Sequence, residues 1–346
     1  MIYFQSDYVE GCHPKILEKM AETNLEQTPG YGNDDYCAGA REKIRKACGR
    51  EDVDVHFLVG GTQTNATVIA SILKAHQGVI SADTGHIACH ETGAVEAAGH
   101  KVLTLSSKDG TITAEQVAAY CEAHAASTSR EHMVQPGMVY ISFPTESGTL
   151  YSKEQLTSLY AACQKYGLPL YVDGARLGYG LAGSRNDLTL PDIARLCDVF
   201  YIGGTKCGAL FGEAVVIARE SLKKDFRYIM KQHGGMLAKG RLLGIQFDVL
   251  FEDDLYEKIC KNAVDAALKI RGALEDKGIP LYVSSWTNQQ FPILTQAQMQ
   301  YFSEHAAFEI WEPIDEKNTA VRFCTSWATT GENVQSLVEL IRNMPI

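Results

Sequence analysis

"VFYIGGTKCGALFGEAVVI", residues 199–217, places two apolar runs on either side of a glycine-rich break that carries a single lysine, Lys206. Runs apolar on both faces read as strands buried within a sheet. Their connection is too short for a crossover helix, so the second run is expected to return antiparallel to the first. Runs of the same kind recur upstream as "VHFLV", "GVISAD", "HKVLTL", "GMVYISF" and "LPLYVD"; with "DVFYIG" and "EAVVIA" they make seven expected strands. Most are separated by segments whose apolar residues fall three and four apart, such as "TNATVIASILKAH", "TAEQVAAYCEAHAAS", "SKEQLTSLYAACQKYG" and "LPDIARLC". The expected fold is α/β, a seven-stranded and mostly parallel sheet covered by helices on both faces.

Beyond Gly244 the rhythm changes. A long helix, "DLYEKICKNAVDAALKIRGALEDKG", leads to short strands expected at "IPLYVSS", "QQFPIL", "FEIWEP" and "TAVRFCTS" and a closing helix "GENVQSLVELIRNM". The expected division is an N-terminal segment, 1–28, packing near the active site, a large domain, 29–243, and a smaller α+β domain, 244–346.

Composition narrows the function. The chain has 346 residues, 45% apolar and 21% charged, as expected of a globular enzyme. A net charge of −10 and the lack of a Lys/Arg run argue against a nucleic-acid partner. Ten cysteines without a repeated CxxC spacing imply free thiols in a reducing cytoplasm. No apolar run approaches the roughly 18 residues of a membrane span, and the N-terminus has no signal-peptide pattern. The expected location is cytoplasmic and the expected partner a small molecule.

In open α/β sheets, ligands bind beyond the carboxyl ends of the strands. Those ends are chemically rich. "VHFLV" runs into "GGTQTN", whose Gly61 and Thr62 open a helix suited to phosphate. "GVISAD" runs into "TGHIACHETG", with His86 and His90; "GMVYISF" into "PTESG", with Glu146; "LPLYVD" into "GAR", with Asp173 and Arg176; and "DVFYIGGT" into Lys206. A lysine, an acid, an aromatic base and a phosphate cup fit pyridoxal phosphate (PLP), which needs a covalent anchor, a carboxylate at its pyridine nitrogen and a flat group over its ring. A desolvated lysine of depressed pKa is a competent nucleophile toward the cofactor's aldehyde.

"YVDGARLGYG", "GGTKCGALFGEAVV", "FQSDYVEGCHP", "GYGNDD", "VGGTQTN" and "GHIACHETGA" together resemble the threonine aldolase family, of the low-specificity L-threonine aldolase and phenylserine aldolase type. The resemblance covers nearly the whole chain and is weakest after Gly244. It implies the aspartate-aminotransferase-like, fold type I architecture of PLP enzymes and the cleavage of a β-hydroxy-α-amino acid to glycine and an aldehyde. It implies that Lys206 anchors the cofactor, Asp173 pairs with the pyridinium and His86 stacks on the ring, with Gly61, Thr62 and Thr205 at the phosphate. Ser6, Arg176 and Arg322 match the positions that hold the substrate carboxylate. A homo-oligomer, dimer or tetramer, is also implied. Glu146 stands where many members carry a histidine, so Glu146 and His86 are both candidates for the catalytic base. In "HGGMLAKGR", Lys239 and Arg241 are candidates for the basic group at the phosphate.

Rival readings rest on weaker patterns. Another PLP-dependent β-eliminating lyase or an aminotransferase begins from the same residues. "GYGLAG", Gly178 to Gly183, formally matches the GxGxxG of an NAD-dependent oxidoreductase but does not directly follow its strand or open a first βαβ unit. "HIACH" has Ile87 where a zinc hydrolase would place glutamate, so no metal site is expected.

Overall fold

The computed structural model describes residues 1–345. Seven strands form the main sheet: β1 (Asp54–Leu58), β2 (Gln77–Ala82), β3 (Lys101–Leu105), β4 (Gln135–Ser142), β5 (Leu170–Asp173), β6 (Val199–Gly203) and β7 (Glu213–Ile217). Their spatial order is β1-β7-β6-β5-β4-β2-β3. All neighbours are parallel except around β7, which is antiparallel to both β1 and β6. The short Lys206 connection therefore returns the chain as its length requires.

Alternation along each strand divides the core between the two faces. In β4, Val139 and Ile141 join one apolar cluster while Met138 and Tyr140 join the other, and Val172 and Tyr171 divide likewise in β5. Crossover helices cover both faces. Thr113 and Ser152 start two of them with reciprocal capping boxes to Gln116 and Gln155, which satisfy otherwise unpaired N–H groups.

The "GYGLAG" glycines lie in and just after a short helix, Leu177–Leu181. A Cβ on Gly178 would stand 2.4 Å from Cys260 Sγ, so this glycine permits helix packing rather than the approach of a dinucleotide.

The long helix Leu255–Asp276 bridges two cores: Cys260, Ala263 and Val264 pack with the main sheet, whereas Ala266, Ile270 and Leu274 pack with the C-terminal strands and the helix Gly331–Asn343. Strands Ile293–Thr295 and Glu309–Pro313 flank Asn318–Cys324, which also pairs with Gln289–Gln290. The expected strand at "IPLYVSS" does not form. Its only bridge joins Leu281 to Pro292, and a proline lacks the N–H needed to extend a ladder. No helix among the described residues is long and apolar enough to cross a membrane.

Candidate active site

The carboxyl ends of the strands open into a cavity of about 250 Å³. Gly61, Thr62, His86, Glu146, Asp173, Arg176, Thr205 and Lys206 all line it. Eight sequence candidates drawn from five separate strand ends are thus brought together.

Lys206 sits on a tightly pinned loop. Gly204 N and Thr205 N both donate to Gly212 O, at 3.1 and 3.0 Å, and Gly212 N returns a 3.0 Å bond to Thr205 Oγ1. A Cβ on Gly203 would lie 2.3 Å from Ala175 O, so the strand end can approach its neighbour only as glycine. Burial depresses the Lys206 pKa and the Arg176 charge adds to this, against Asp7 and Asp173. A larger share of the amine is thereby unprotonated and nucleophilic. Glu213 accepts from Gly204 N at 2.9 Å and also lines the cavity. Burial lifts its pKa to about 8, against the hydrogen bonds from Thr205 and Gly204 and the charge of Lys206.

Asp173 ends β5 with both oxygens engaged. Tyr201 Oη (2.5 Å) and Ala175 N (3.0 Å) donate to Oδ1; Tyr140 Oη (2.7 Å) and Asn65 Nδ2 (2.9 Å) donate to Oδ2. Burial alone would raise its pKa, but the His86 charge and these donors together bring it below the ordinary aspartate value. A dry carboxylate held charged in this way can pair with a protonated ring nitrogen.

His86 Nδ1 lies 2.8 Å from Glu91 Oε1. Burial works against the imidazolium, but the Glu91 bond and the Asp173 and Glu91 charges raise the His86 pKa above its ordinary value. Glu146 Oε1 accepts from His86 N at 2.9 Å and Ser142 Oγ at 2.6 Å, while its buried Oε2 has no partner among the described residues. Burial raises the Glu146 pKa despite the Ser142 bond.

Helix Gly61–Ile72 begins at the cavity. Its N-cap, Gly60, supplies no side-chain cap, so the first N–H groups remain open to an anion and the helix dipole favours one.

The carboxylate-binding candidates are arranged differently from a pair of open forks. Arg176 gives Nε and Nη2 to Asp7, at 2.6 and 3.0 Å. Arg322 is buried, gives Nη1 to Gln289 Oε1 (3.0 Å) and Nη2 to Gln5 O (2.9 Å), and pairs with Glu309. Neither Arg322 nor Ser6 is among the residues lining the cavity, although Ser6 is buried between the Gln5 that binds Arg322 and the Asp7 that binds Arg176. Lys239 and Arg241 are not brought to the cavity. Lys239 is exposed, and Arg241 is spent on the carbonyls of Thr23, Asn24 and Glu26, fastening the N-terminal segment.

Several site residues escaped the sequence reading: Asp7, Asn65, Glu91, Tyr140, Ser142, Tyr201 and Glu213. One signal was available. "VYIS", "LYVD" and "FYIG" each set a tyrosine among apolar residues, and a buried phenol needs a hydrogen-bond partner. Tyr140 and Tyr201 find Asp173, and Tyr171 donates to Asn65 Oδ1 at 2.7 Å.

A depressed lysine, a carboxylate carrying four donors, an imidazole and an open helix N-terminus in one cavity fit PLP. The "Beta-eliminating lyase" family model matches residues 4–297. A solved Leishmania major threonine aldolase is 43% identical, covers 99% of both chains and superposes with a TM-score of 0.96. The low specificity L-threonine aldolase of Pseudomonas aeruginosa is 28% identical over 98% of this chain and 96% of its own. A serine palmitoyltransferase from Sphingomonas wittichii shares the fold alone, with 13% identity, a TM-score of 0.72 and coverage of 98% of this chain and 86% of its own. Fold, cavity and full-length likeness agree: the chain belongs to the beta-eliminating lyase family of PLP-dependent enzymes, on its threonine aldolase branch.

Proposed function

We propose that this enzyme cleaves β-hydroxy-α-amino acids of the threonine, allo-threonine or phenylserine type to glycine and an aldehyde. The carrying observation is the convergence of Lys206, Asp173, His86 and Glu146 on one cavity whose rim includes an uncapped helix N-terminus. PLP, when bound, supplies the sink for the electron pair released as Cα–Cβ breaks. Lys206 would hold it covalently, Asp173 would face its ring nitrogen, His86 a ring face, and Gly61, Thr62 and Thr205 its phosphate.

The remaining work belongs to the chain. Glu146 takes the proton of the substrate β-hydroxyl at Oε2, the buried oxygen that has no other partner. Its raised pKa makes this carboxylate a stronger base toward that proton. Arg176 offers the substrate carboxylate the edge of its guanidinium not given to Asp7, and Ser6 and Arg322 complete that contact when the N-terminal segment and the C-terminal strands close on substrate. Orienting the scissile bond this way lowers the entropic part of the barrier.

The enzyme works as a homo-oligomer. Exposed Tyr31 and Tyr228 beside Arg227 and Lys231 supply an apolar and basic surface, and among the described residues no arginine or lysine besides Arg176 and Lys206 lines the cavity to balance a phosphate. Its ten free cysteines, nine of them buried, suit the cytoplasm.

Product analysis tests the reaction. Glycine with the matching aldehyde is expected from L-threonine, L-allo-threonine and phenylserine; pyruvate from serine with no glycine from any of the three would replace aldol cleavage by β-elimination. Borohydride reduction of the yellow protein followed by peptide mass spectrometry is expected to place the cofactor on Lys206.

A further inference from the structure

Glu91 has no part in the reaction as described, yet its side chain is completely buried beside the site. Oε1 accepts from His86 Nδ1 at 2.8 Å and from Asn65 Nδ2 at 2.7 Å. The same Asn65 nitrogen donates to Asp173 Oδ2 at 2.9 Å, and Asn65 Oδ1 is occupied by Tyr171. Both hydrogens of the fully buried Asn65 amide therefore bridge two carboxylates. The amide cannot flip without setting its oxygen against Glu91 and Asp173. A carboxylate in this place accepts only, so the proton between it and His86 belongs on Nδ1.

We propose that Glu91 is a positioning residue which fixes the plane and tautomer of His86, and that Asn65 ties this pair to Asp173 so that the two cofactor-facing groups move as one unit. The proposal rests on the PLP assignment above for its catalytic meaning, but the Glu91–His86–Asn65 geometry is a property of the protein itself. The other charged and titratable groups facing His86 are Asp173, Glu146, which accepts its backbone N–H, Lys206, and the His90 ring at 5.7 Å. None of these contacts an imidazole nitrogen, as Glu91 does. A buried carboxylate accepting the Nδ1 proton favours the imidazolium, and losing its charge must weaken proton binding at His86.

The test uses protein carrying ¹⁵N-labelled histidine, both cofactor-loaded and cofactor-free, with His86→Asn to assign the ring signals. In the wild type, neutral His86 is expected as the Nδ1–H tautomer. Glu91→Gln keeps an oxygen acceptor but loses the charge, and is expected to weaken proton binding at His86 about tenfold. The corresponding limb of the kcat/KM pH profile should shift by the same factor. An Nε2–H tautomer in the wild type overturns the proposal without any variant, whether or not Glu91→Gln folds. So does an unmoved His86 titration in folded Glu91→Gln. Glycine absent from the product assay, with the tautomer and titration as expected, would instead remove the aldolase reading and leave the pairing intact.

Discussion

Asp173 receives four donors from four different parts of the chain, and the shortest of these bonds comes from Tyr201. A hydrogen bond to a charged group contributes about 1.5–3 kcal/mol, so Tyr201→Phe should reduce the hold of this carboxylate on a pyridinium. We expect the PLP dissociation constant, measured by equilibrium dialysis, to rise between about tenfold and a hundredfold. An unchanged constant would show that the remaining donors suffice. The sequence made Asp173, Lys206, His86 and Glu146 legible because each ends a strand or follows one, where chain order alone predicts convergence. Asn65 and Glu91 were not legible. Each lies in a connection beyond its strand end, and their meeting depends on how helix Gly61–Ile72 packs beside the short helix Ala94–Ala97 that follows Glu91, which no local pattern encodes.

At the scale of elements, the connection from β6 to β7 is a rigid mount for Lys206, and much of its rigidity is borrowed. Gln246, fully buried on the helix Arg241–Leu250, accepts from Leu210 N at 2.7 Å and Phe211 N at 3.2 Å. Gln246→Leu leaves two loop N–H groups unpaired, each at a cost of about 1–3 kcal/mol. A lower denaturation midpoint and severalfold weaker PLP binding are expected, read by urea titration and cofactor fluorescence. Glu213 links the same mount to pH. Its folded pKa, about 8, exceeds the ordinary 4.5 because burial disfavours its charge. Between those values the unfolded chain has lost the proton and the folded chain retains it, so this group's contribution to stability falls as pH rises from about 4.5 and levels off above 8. Glu213→Gln keeps an acceptor for Gly204 N and removes the titration. Its unfolding free energy should therefore gain on that of the wild type as pH rises toward 8.5, by an amount on the order of a few kcal/mol read from thermal melts at each pH, and equal slopes for the two proteins would contradict this. The seven strands were legible from apolar runs bounded by glycine and proline. "IPLYVSS" misled because its apolar content is strand-like while the facing Pro292 cannot continue the ladder.

Across the whole molecule, residues 2–10 join the two cores. Ile2–Tyr3 pairs in parallel with Ala306–Ala307, Phe4 is buried in the C-terminal core, Phe4 O accepts from Cys324 N, and Asp7 pairs with Arg176 at the main sheet. Asn288 Nδ2 also donates to Asp7, at 2.9 Å, so this one carboxylate ties the N-terminal segment, the main sheet and the C-terminal part of the chain together. Nothing in "FQSDYVEG" announces that role, because the partners lie 169 and 281 residues away. Burial opposes the Asp7 charge, but Arg176 and Lys206 with the Arg176 and Asn288 hydrogen bonds hold its pKa below the ordinary 3.8. Its stabilisation is thus complete above the unfolded pKa and is lost as pH falls through the lower folded value. Asp7→Asn leaves the Arg176 guanidinium without its counter-ion, and breaking one side of a buried pair costs about 3–5 kcal/mol. The variant should be less stable than the wild type at pH 7, and the gap should narrow as acid protonates the wild-type carboxyl. Adding Arg176→Gln removes the stranded charge, so the double variant is expected to recover stability relative to Asp7→Asn alone. A double-mutant cycle by urea denaturation reads this coupling directly. Additive losses would mean that the two side chains stabilise the molecule independently, and that the N-terminal segment is held by its strand and apolar contacts rather than by this charge.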